Sequence, residues 1–215
     1  MTTFTAAAAL VLASTVTAKP LSDPTSLKRD AAAADARSIA IITAIAPTSS
    51  TCEGAPAVGE CVTAADAVLP MVAAFNKYKI ATPGEQAALI AYMAYESGDF
   101  KFNRNKFPAP GRPGQGTRSM MMPEFVAEYA ATLDPKIENA DPAARLDAVL
   151  KAPGGEWGAA MWFYNNKCSA DVKTGVKSGS AVGWHKYLTE CVGTSAVMAR
   201  DEYWTRAKTA LGMKA

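Results

Sequence analysis

A capping box followed by an apolar run constrains the fold of this chain more than any other segment. The residues TPGE at positions 82–85 offer a threonine N-cap, a proline at the first helical position and a glutamate three residues after the cap. This pattern is typical of the start of an α-helix. The predicted helix continues through QAALIAYMAYES and ends near Gly98, and Leu89, Ile90 and Met93 form an apolar stripe along it. We therefore expect this helix to pack against a core.

The same helix carries a glutamate at its C-terminal end. Glu96 follows Met93 by three residues and Leu89 by seven, which places its carboxylate near the inward-looking face. Partial desolvation and the negative end of the helix dipole would both raise the pKa of this carboxyl group. A carboxyl group with a raised pKa is suited to general acid catalysis. The alternative interpretation is that Glu96 is a solvated acid at a helix end, because such a residue would show the same spacing.

The remaining sequence predicts a mainly α fold with a small β-hairpin or long loop after the central helix. The loop is expected over residues 100–122, where several Pro and Gly residues alternate with aromatic and polar ones. Further helical segments are expected over residues 31–45, 63–79 with a kink at Pro70, from Pro123, and over 141–151, 156–165 and 195–211.

The first 50 residues predict export and processing before a single catalytic domain. Residues 1–18 resemble a signal peptide, because an apolar stretch precedes a small-residue cleavage pattern. Residues 19–29 are interpreted as a pro-segment cut after the dibasic pair at Arg29, residues 30–50 as a lead-in helix or linker, and residues 51–215 as the catalytic domain. We expect a secreted, extracellular protein with no membrane anchor.

The charge and histidine content of the chain exclude several kinds of binding and catalytic site. The chain of 215 residues has 22 basic and 20 acidic side chains, and the predicted cut would leave 19 of each over residues 30–215. A near-neutral protein lacks the electrostatic footprint of a nucleic-acid-binding protein. The chain has one histidine, His185, which excludes sites that need two imidazoles. The chain also lacks the GxSxG motif of a serine hydrolase, so we expect a structural role for His185. We expect no metal, no cofactor, no nucleic-acid or membrane partner, and a monomer.

Four cysteines are consistent with an oxidising compartment. Pairing between sequence neighbours is the economical arrangement, which joins Cys52 to Cys61 and Cys168 to Cys191. Each pair would close a segment rich in Gly and small residues. A zinc site is disfavoured because the chain has no CxxC pair and one His.

Three motifs then resemble the goose-type lysozyme and lytic transglycosylase superfamily. Glu96-Ser97-Gly98 is similar to the superfamily's catalytic Glu-Ser motif at a helix end. The segment SMMMP at 119–123 lies where the family has a Gly-Leu-Met-Gln segment, and AAMWFYNN at 159–166 resembles its alanine-rich helix ending in Tyr-Asn. The motifs occur in the family's order over about residues 83–166. Within the superfamily, the chain most resembles secreted fungal muramidases with a lysozyme-like catalytic domain.

The resemblance implies a lysozyme-like domain that cleaves a polysaccharide, with Glu96 as the general acid. It implies that Tyr164 positions that carboxyl group, so the two side chains should meet at one cleft. Beyond these, the residues expected to bind substrate are Asn165, Asn166, Met120, Arg118 and Trp162. Met120 replaces the family's glutamine, so the expected amide contact would be missing. Arg118 is also suited to tying the loop to an acidic side chain.

A second catalytic carboxylate is hard to find. No acid lies between Asp99 and Glu124, so Asp99 is the nearest candidate, although an acid at a helix end or turn would also stand there. Without it, attack by the substrate's N-acetyl group, or lytic transglycosylation, becomes the better mechanism. The expected substrate is the β-1,4 glycan of bacterial peptidoglycan. The alternatives are chitin or chitosan, or a non-catalytic glycan-binding or effector module on the same scaffold.

Overall fold

The structure is a computed structural model, and it describes residues 24–137 and 139–214, with side chains from residue 35 onward. The chain divides into two units, residues 1–34 and residues 35–215. The core and the candidate site both lie in the second unit. The predicted signal peptide, residues 1–18, and the first part of the predicted pro-segment lie outside the described residues.

The described residues are mainly helical, which confirms the predicted fold class at that level. The helices are α1 (Pro24–Ile45), α2 (Ala64–Tyr78), α3 (Pro83–Glu96), α4 (Pro123–Leu133), α5 (Pro142–Lys151), α6 (Gly155–Lys167), α7 (Ala170–Ser178), α8 (Ala181–Lys186) and α9 (Met198–Ala210). Short 3₁₀ turns cover Pro47–Ser50 and Pro135–Ile137, and a π-helical turn covers Tyr187–Val192. Within the described part of the chain no helix is long and apolar enough to cross a membrane.

Helix starts follow the capping chemistry of the sequence. At the start of α3 the predicted capping box is present, because Thr82 accepts from the Glu85 amide while the Glu85 carboxylate accepts from the Thr82 amide. Thr63 and Asp141 cap α2 and α5 with side chains that accept from the amides of Asp66 and Ala144. Proline occupies the first turn of α3, α4 and α5, where its missing amide hydrogen costs nothing.

Helix α3 lies inside the main core rather than on its surface. Most of its residues are buried, including the predicted stripe of Leu89, Ile90 and Met93. It packs against α6, α7 and α9. A second cluster of buried residues joins α4, α5 and α6, and Ile42 and Ile45 of α1 belong to the main core. Because α3 is surrounded, its charged residues are confined to its two ends.

Both predicted disulfides, Cys52–Cys61 and Cys168–Cys191, are present, and no free cysteine remains in the described residues. The second disulfide closes a Gly/Ser-rich segment for which the sequence predicted no helix. This segment nevertheless contains α7, α8 and the π-helical turn. Ser169 and Ser180 cap the two helices with their hydroxyl groups. Two of the serines that lower the mean hydropathy of this segment are therefore helix caps.

Two glycines allow α7 and α8 to cross in close contact. A Cβ atom on Gly183 would lie 2.7 Å from the Cα atom of Gly175 and closer still to its carbonyl group. A Cβ atom on Gly175 would lie 2.8 Å from the Cα atom of Gly183. Real Cβ atoms do not approach backbone so closely, so both positions require glycine for steric reasons.

We expect Gly183→Ala to lower the free energy of unfolding by about 1–3 kcal/mol, because the methyl group overpacks the helix crossing. In an open helix the same change would stabilise by about 1 kcal/mol, so the sign is diagnostic. Urea unfolding followed by circular dichroism measures the difference. Val182→Ala, at an exposed position of the same helix, is the matched control and should change stability by less than about 0.5 kcal/mol. A stabilised Gly183→Ala protein would contradict this packing.

Candidate functional site

Glu96 lies where two cavities meet. The first, which we call the neutral cavity, has a volume of about 220 Å³ and is lined by Tyr92, Glu96, Gln115, Ser119, Met120, Met121, Met122, Phe125, Ala160, Phe163, Tyr187, Val192, Gly193 and Thr194. The second, the basic cavity, has a volume of about 330 Å³ and is lined by Glu96, Gly98, Phe102, Arg104, Asn105, Lys106, Phe107, Gln115 and Met120. The two share Glu96, Gln115 and Met120, so they form one groove with the carboxylate at its junction.

The end of α3 is shaped by three consecutive left-handed residues. Gly98, Asp99 and Phe100 have φ values of 57°, 56° and 66°, a region that costs energy for residues other than glycine. The Ser97 hydroxyl donates to the Met93 carbonyl and accepts from the Phe100 amide. The turn ends the helix after Glu96 and directs the chain into residues 100–122, which line the groove and which we call the groove loop.

Arg200 of α9 holds one oxygen of the Glu96 carboxylate. Its Nη2 and Nε atoms lie 2.7 Å and 3.2 Å from Oε1, and its guanidinium group lies over the Tyr95 ring at 4.4 Å. Within the described part of the chain, Oε2 receives no hydrogen bond. A proton on this carboxyl group is therefore expected on Oε2, because Oε1 already accepts two charge-assisted bonds.

Burial raises the pKa of Glu96 above its ordinary value, although the hydrogen bond and the positive charge of Arg200 act to lower it. The Glu96 and Arg200 side chains are only 17% and 11% exposed. Desolvation of the carboxylate explains the direction, because the charged form loses more hydration than the ion pair returns. The sequence predicted this direction from the position of Glu96 at the end of a buried helix.

Two buried tyrosines face the neutral cavity beside Glu96. The Tyr92 hydroxyl donates to the Ser119 carbonyl at 3.1 Å. The Tyr187 hydroxyl is buried and has no hydrogen-bond partner among the described residues. Burial, followed by the charge of Glu96, raises the pKa of Tyr187, so the group stays protonated and able to donate. An unpartnered buried hydroxyl at a cavity wall is ready to bond a ligand.

Arg118 does not bind in the groove, contrary to the substrate-binding prediction. It is 1% exposed, donates to the carbonyls of Phe100 and Phe102, and pairs with Glu156 at 3.0 Å. Its guanidinium group also lies over the Trp157 ring. Arg118 therefore ties the groove loop to the core, which was the alternative reading of its sequence.

Asp99 is a structural acid, so the prediction that it acts as a second catalytic carboxylate is wrong. Its Oδ2 atom accepts from the amide and hydroxyl of Thr48, each at 2.8 Å, and its Oδ1 atom accepts from the Tyr203 hydroxyl at 2.6 Å. The residue is 4% exposed and lines neither cavity. These three hydrogen bonds join α9 and the Pro47–Ser50 turn to the end of α3.

Tyr164 is on α6 but does not meet Glu96, so the prediction that it positions the general acid is wrong. Its hydroxyl donates to Oε1 of Glu85 at 3.2 Å. Glu85 stands in the first turn of α3 and Glu96 ends the same helix, about 16 Å away at 1.5 Å per residue. The expected convergence of Glu96 and Tyr164 is absent, and the Tyr-Asn motif gives the superfamily resemblance no geometric support.

The other α6 residues expected to bind substrate also lie elsewhere. The Asn165 side chain donates to the Tyr78 carbonyl and the Asn166 side chain to the Trp162 carbonyl. Trp162 is buried, with its ring centroid 5.4 Å from that of Tyr129. None of the three lines the groove. The motif predicted the helix correctly but not the face that it presents.

Met120 lines both cavities, as expected of a groove residue, and its contact with a substrate stays a prediction. Gln115 also lines both cavities, and its Nε2 atom donates to the Met120 carbonyl at 3.0 Å. Gln115 lies in the groove loop beside Gly116, which pairs with Met121 through two backbone hydrogen bonds. Its only sequence signal was a polar residue inside a Gly/Pro-rich loop.

No cluster of three His, Cys, Asp or Glu side chains that could hold a metal ion occurs among the described residues. The single histidine lies away from the groove. The His185 Nε2 atom is 3.0 Å from Oδ1 of Asp201, which also accepts from the Trp184 indole. These contacts agree with a structural role for His185.

Comparison with known proteins gives one partial match. No family model and no solved structure matches the chain. In an alignment of 154 residues that covers 66% of this chain, the sequence is 35% identical to a bifunctional dioxygenase–epoxy alcohol synthase of Fusarium oxysporum strain Fo5176. The chain spans 12% of the length of that relative, so the similarity concerns a small part of a much longer protein.

We expect Asp99→Asn to lower the free energy of unfolding by about 1–3 kcal/mol, because one of its two bonded oxygens becomes an amide that cannot accept. Urea unfolding measures the loss. Asp134→Asn, at an exposed position, is the control and should change little. An Asp99→Asn protein of unchanged stability would contradict the structural role assigned to Asp99.

Proposed function

We propose that this chain is a secreted glycoside hydrolase of the muramidase type that cleaves a β-1,4-linked glycan, with Glu96 as the general acid. The observation that carries the proposal is the position of Glu96. It is the one carboxylate among the residues that line the two cavities, its pKa is raised by burial, and one of its oxygens is free of hydrogen bonds from the described residues. These are the requirements for donating a proton to a leaving oxygen.

The groove suits a linear polymer that lies across the acid. A sugar in the neutral cavity and a sugar in the basic cavity would place their linking oxygen near the junction, where Glu96 stands. The proton on Oε2 would transfer to that oxygen while the bond from the anomeric carbon to it breaks. Arg200 would then stabilise the carboxylate that forms, because its guanidinium group already bonds Oε1.

With one lining carboxylate, the attack on the anomeric carbon is assigned to the substrate. An inverting enzyme would hold a second carboxylate about 6.5–9.5 Å from the acid to activate water, and a retaining one about 5–5.5 Å away. The N-acetyl oxygen of the sugar could bond to the anomeric carbon as the leaving oxygen departs, and water would later displace it while the ionised Glu96 takes the proton of the water. Alternatively, a hydroxyl of the same sugar could attack and lose its proton to the ionised Glu96, which leaves an anhydro-sugar as in lytic transglycosylation. The Tyr187 hydroxyl is placed to donate to a polar substituent of the sugar in the neutral cavity.

Peptidoglycan is the first proposed substrate and chitin or chitosan the second. Secretion is supported by the two disulfides, which persist in oxidising compartments. The activity named for the Fusarium relative belongs to a protein of which this chain spans 12%.

A second candidate function is glycan binding without turnover. The observation that favours it is the Arg200 ion pair, since a guanidinium group on Oε1 stabilises the ionised carboxylate, which has no proton to give. On this alternative the groove would bind oligosaccharides and release them unchanged. Measurement of binding and product release on the same glycan separates the two functions.

We expect Glu96→Gln to lower glycan cleavage by about 10²–10⁴-fold, because the amide is the same size but has no acidic proton. The assay is the release of reducing ends or anhydro-ends from purified cell walls and from chitin oligomers. Glu202→Gln, an exposed change on α9, is the matched control and should retain activity. Unchanged cleavage by a folded Glu96→Gln protein would remove Glu96 from the mechanism.

We expect Arg200→Gln to move the alkaline limb of the pH–rate profile to higher pH. Arg200 lowers the pKa of Glu96, so its removal raises that pKa, and the protonated form needed for catalysis persists further into the alkaline range. The profile of kcat/KM against pH reports this shift. A limb that stays in place, or moves to lower pH, would show that another group controls the reaction.

A further inference from the structure

The groove is chemically asymmetric about Glu96. Apart from Glu96, every residue that lines the neutral cavity is uncharged. The basic cavity instead contains Arg104 and Lys106, and it continues along the loop into a third cavity lined by Asn105, Phe107, Pro108, Gly111, Arg112, Pro113 and Gln115. We call these two loop cavities together the cationic arm. A polymer across the groove would meet a different chemistry on each side of the bond that faces Glu96.

The cationic arm keeps an excess of positive charge after its ion pairs are counted. Arg104 pairs with Asp147 at 2.6 Å, and Lys106 pairs with Oε1 of Glu60 at 2.8 Å. Arg112 is exposed, its Nη1 atom contacts the Met122 sulfur, and no carboxylate of the described residues lies within ion-pair distance of it. Residues 100–123 contain no acid at all. The arm therefore has a net positive charge centred on Arg112.

Lys106 also retains capacity to bind an anion. Its side chain is 50% exposed, whereas that of Glu60 is 10% exposed. The second oxygen of Glu60 is occupied by the amides of Asn103 and Arg104. Of the three hydrogen atoms on the Lys106 ammonium group, one is used by Glu60, which leaves the others for solvent or a ligand.

Phe107 gives the cationic arm an exposed aromatic face. It is 85% exposed and lines both cavities of the arm. Lys106 precedes it in the chain, and Arg112 lines the third cavity with it. An apolar ring with cations beside it suits a ligand that combines a sugar face with a negative charge, because the ring stacks on C–H groups while the cations pair with the anion.

We propose that the cationic arm binds carboxylate groups carried by the glycan, so that the preferred substrate is an anionic glycan rather than a neutral polymer of N-acetylglucosamine. The inference rests on the proposed glycan-cleaving function and names the substrate class of the same groove. The neutral cavity would take an uncharged sugar on one side of the cleaved bond. The cationic arm would take the sugar that carries the acid on the other side.

The test compares three glycans: a neutral N-acetylglucosamine oligomer, a peptidoglycan strand stripped of its peptides, which keeps the lactyl carboxylates of its sugars, and the same strand with stem peptides. For the native protein, kcat/KM should be higher on the anionic strands, and the preference should fall as salt rises from 50 to 500 mM, since screening weakens charge pairing. If the protein prefers the strand without peptides over the neutral oligomer, the carboxylate that binds the cationic arm belongs to the sugar. If only the strand with stem peptides is preferred, that carboxylate belongs to the peptide.

Arg112→Gln should lower the ratio of anionic to neutral kcat/KM by about two- to fivefold, and Lys106→Gln with Arg112→Gln by about five- to tenfold, as expected for exposed charge pairs. The single variant leaves the Glu60 pair intact, so it stays informative if the double variant folds poorly. Lys77→Gln on α2, which lines none of these cavities, is the matched control and should leave the ratio unchanged. An unchanged ratio in Arg112→Gln, or equal cleavage of neutral and anionic strands by the native protein, would overturn the inference.

The proposed function can fail separately. If the native protein cleaves none of the three glycans, the enzyme proposal is wrong, and binding of the fluorescently labelled strands then decides the inference. Salt-sensitive binding of the anionic strand that Arg112→Gln weakens would support the cationic arm. Equal binding of neutral and anionic strands would contradict it.

Discussion

The burial of α3 is the constraint on which the rest of the structure depends. A helix surrounded by other helices has no exposed face, so its charged residues can stand only at its ends. Glu85 at the first turn is bonded by Thr82 and Tyr164 and lies 3.8 Å from Lys177. Glu96 at the last turn is bonded by Arg200 alone among the described residues. The first carboxylate is fully used in holding the fold, whereas the second keeps a free oxygen at the junction of two cavities.

This contrast explains why the fold was easier to predict than the site. Caps and first-turn prolines act within four residues, so TPGE at 82–85 and Asp141 predicted helix starts correctly. Cysteine pairing between sequence neighbours was also confirmed. Helices α7 and α8 escaped prediction because their close crossing needs Gly175 and Gly183, and glycine otherwise indicates a loop. The reason for those glycines is a contact between helices, which no local pattern contains.

Residues of the site were predicted where their position depended on α3 and missed where it depended on distant chain segments. Glu96 follows from helical spacing, whereas Met120 came from the resemblance of the SMMMP segment. Tyr164 was assigned to the wrong glutamate, because α3 has one at each end and the sequence does not say which end α6 meets. Arg200 and Tyr187 come from the last third of the chain, where no motif marked them. Asp99 and Arg118 have the chemistry of site residues but are consumed by the hydrogen bonds that end α3 and anchor its loop.

The single lining carboxylate and the asymmetric groove constrain each other. In the proposed glycan cleavage no fixed base activates water, so the groove would have to hold the substrate with its own substituent close to the anomeric carbon, which would demand tight orientation of the sugar beside Glu96. A symmetric neutral groove would let a chain bind in either direction and in any register. Unequal charge on the two sides of Glu96 would remove that freedom, because only one direction would place an acidic substituent near Arg112 and an uncharged sugar near Tyr187. Charge asymmetry in the loop would then provide the alignment that substrate-assisted cleavage requires.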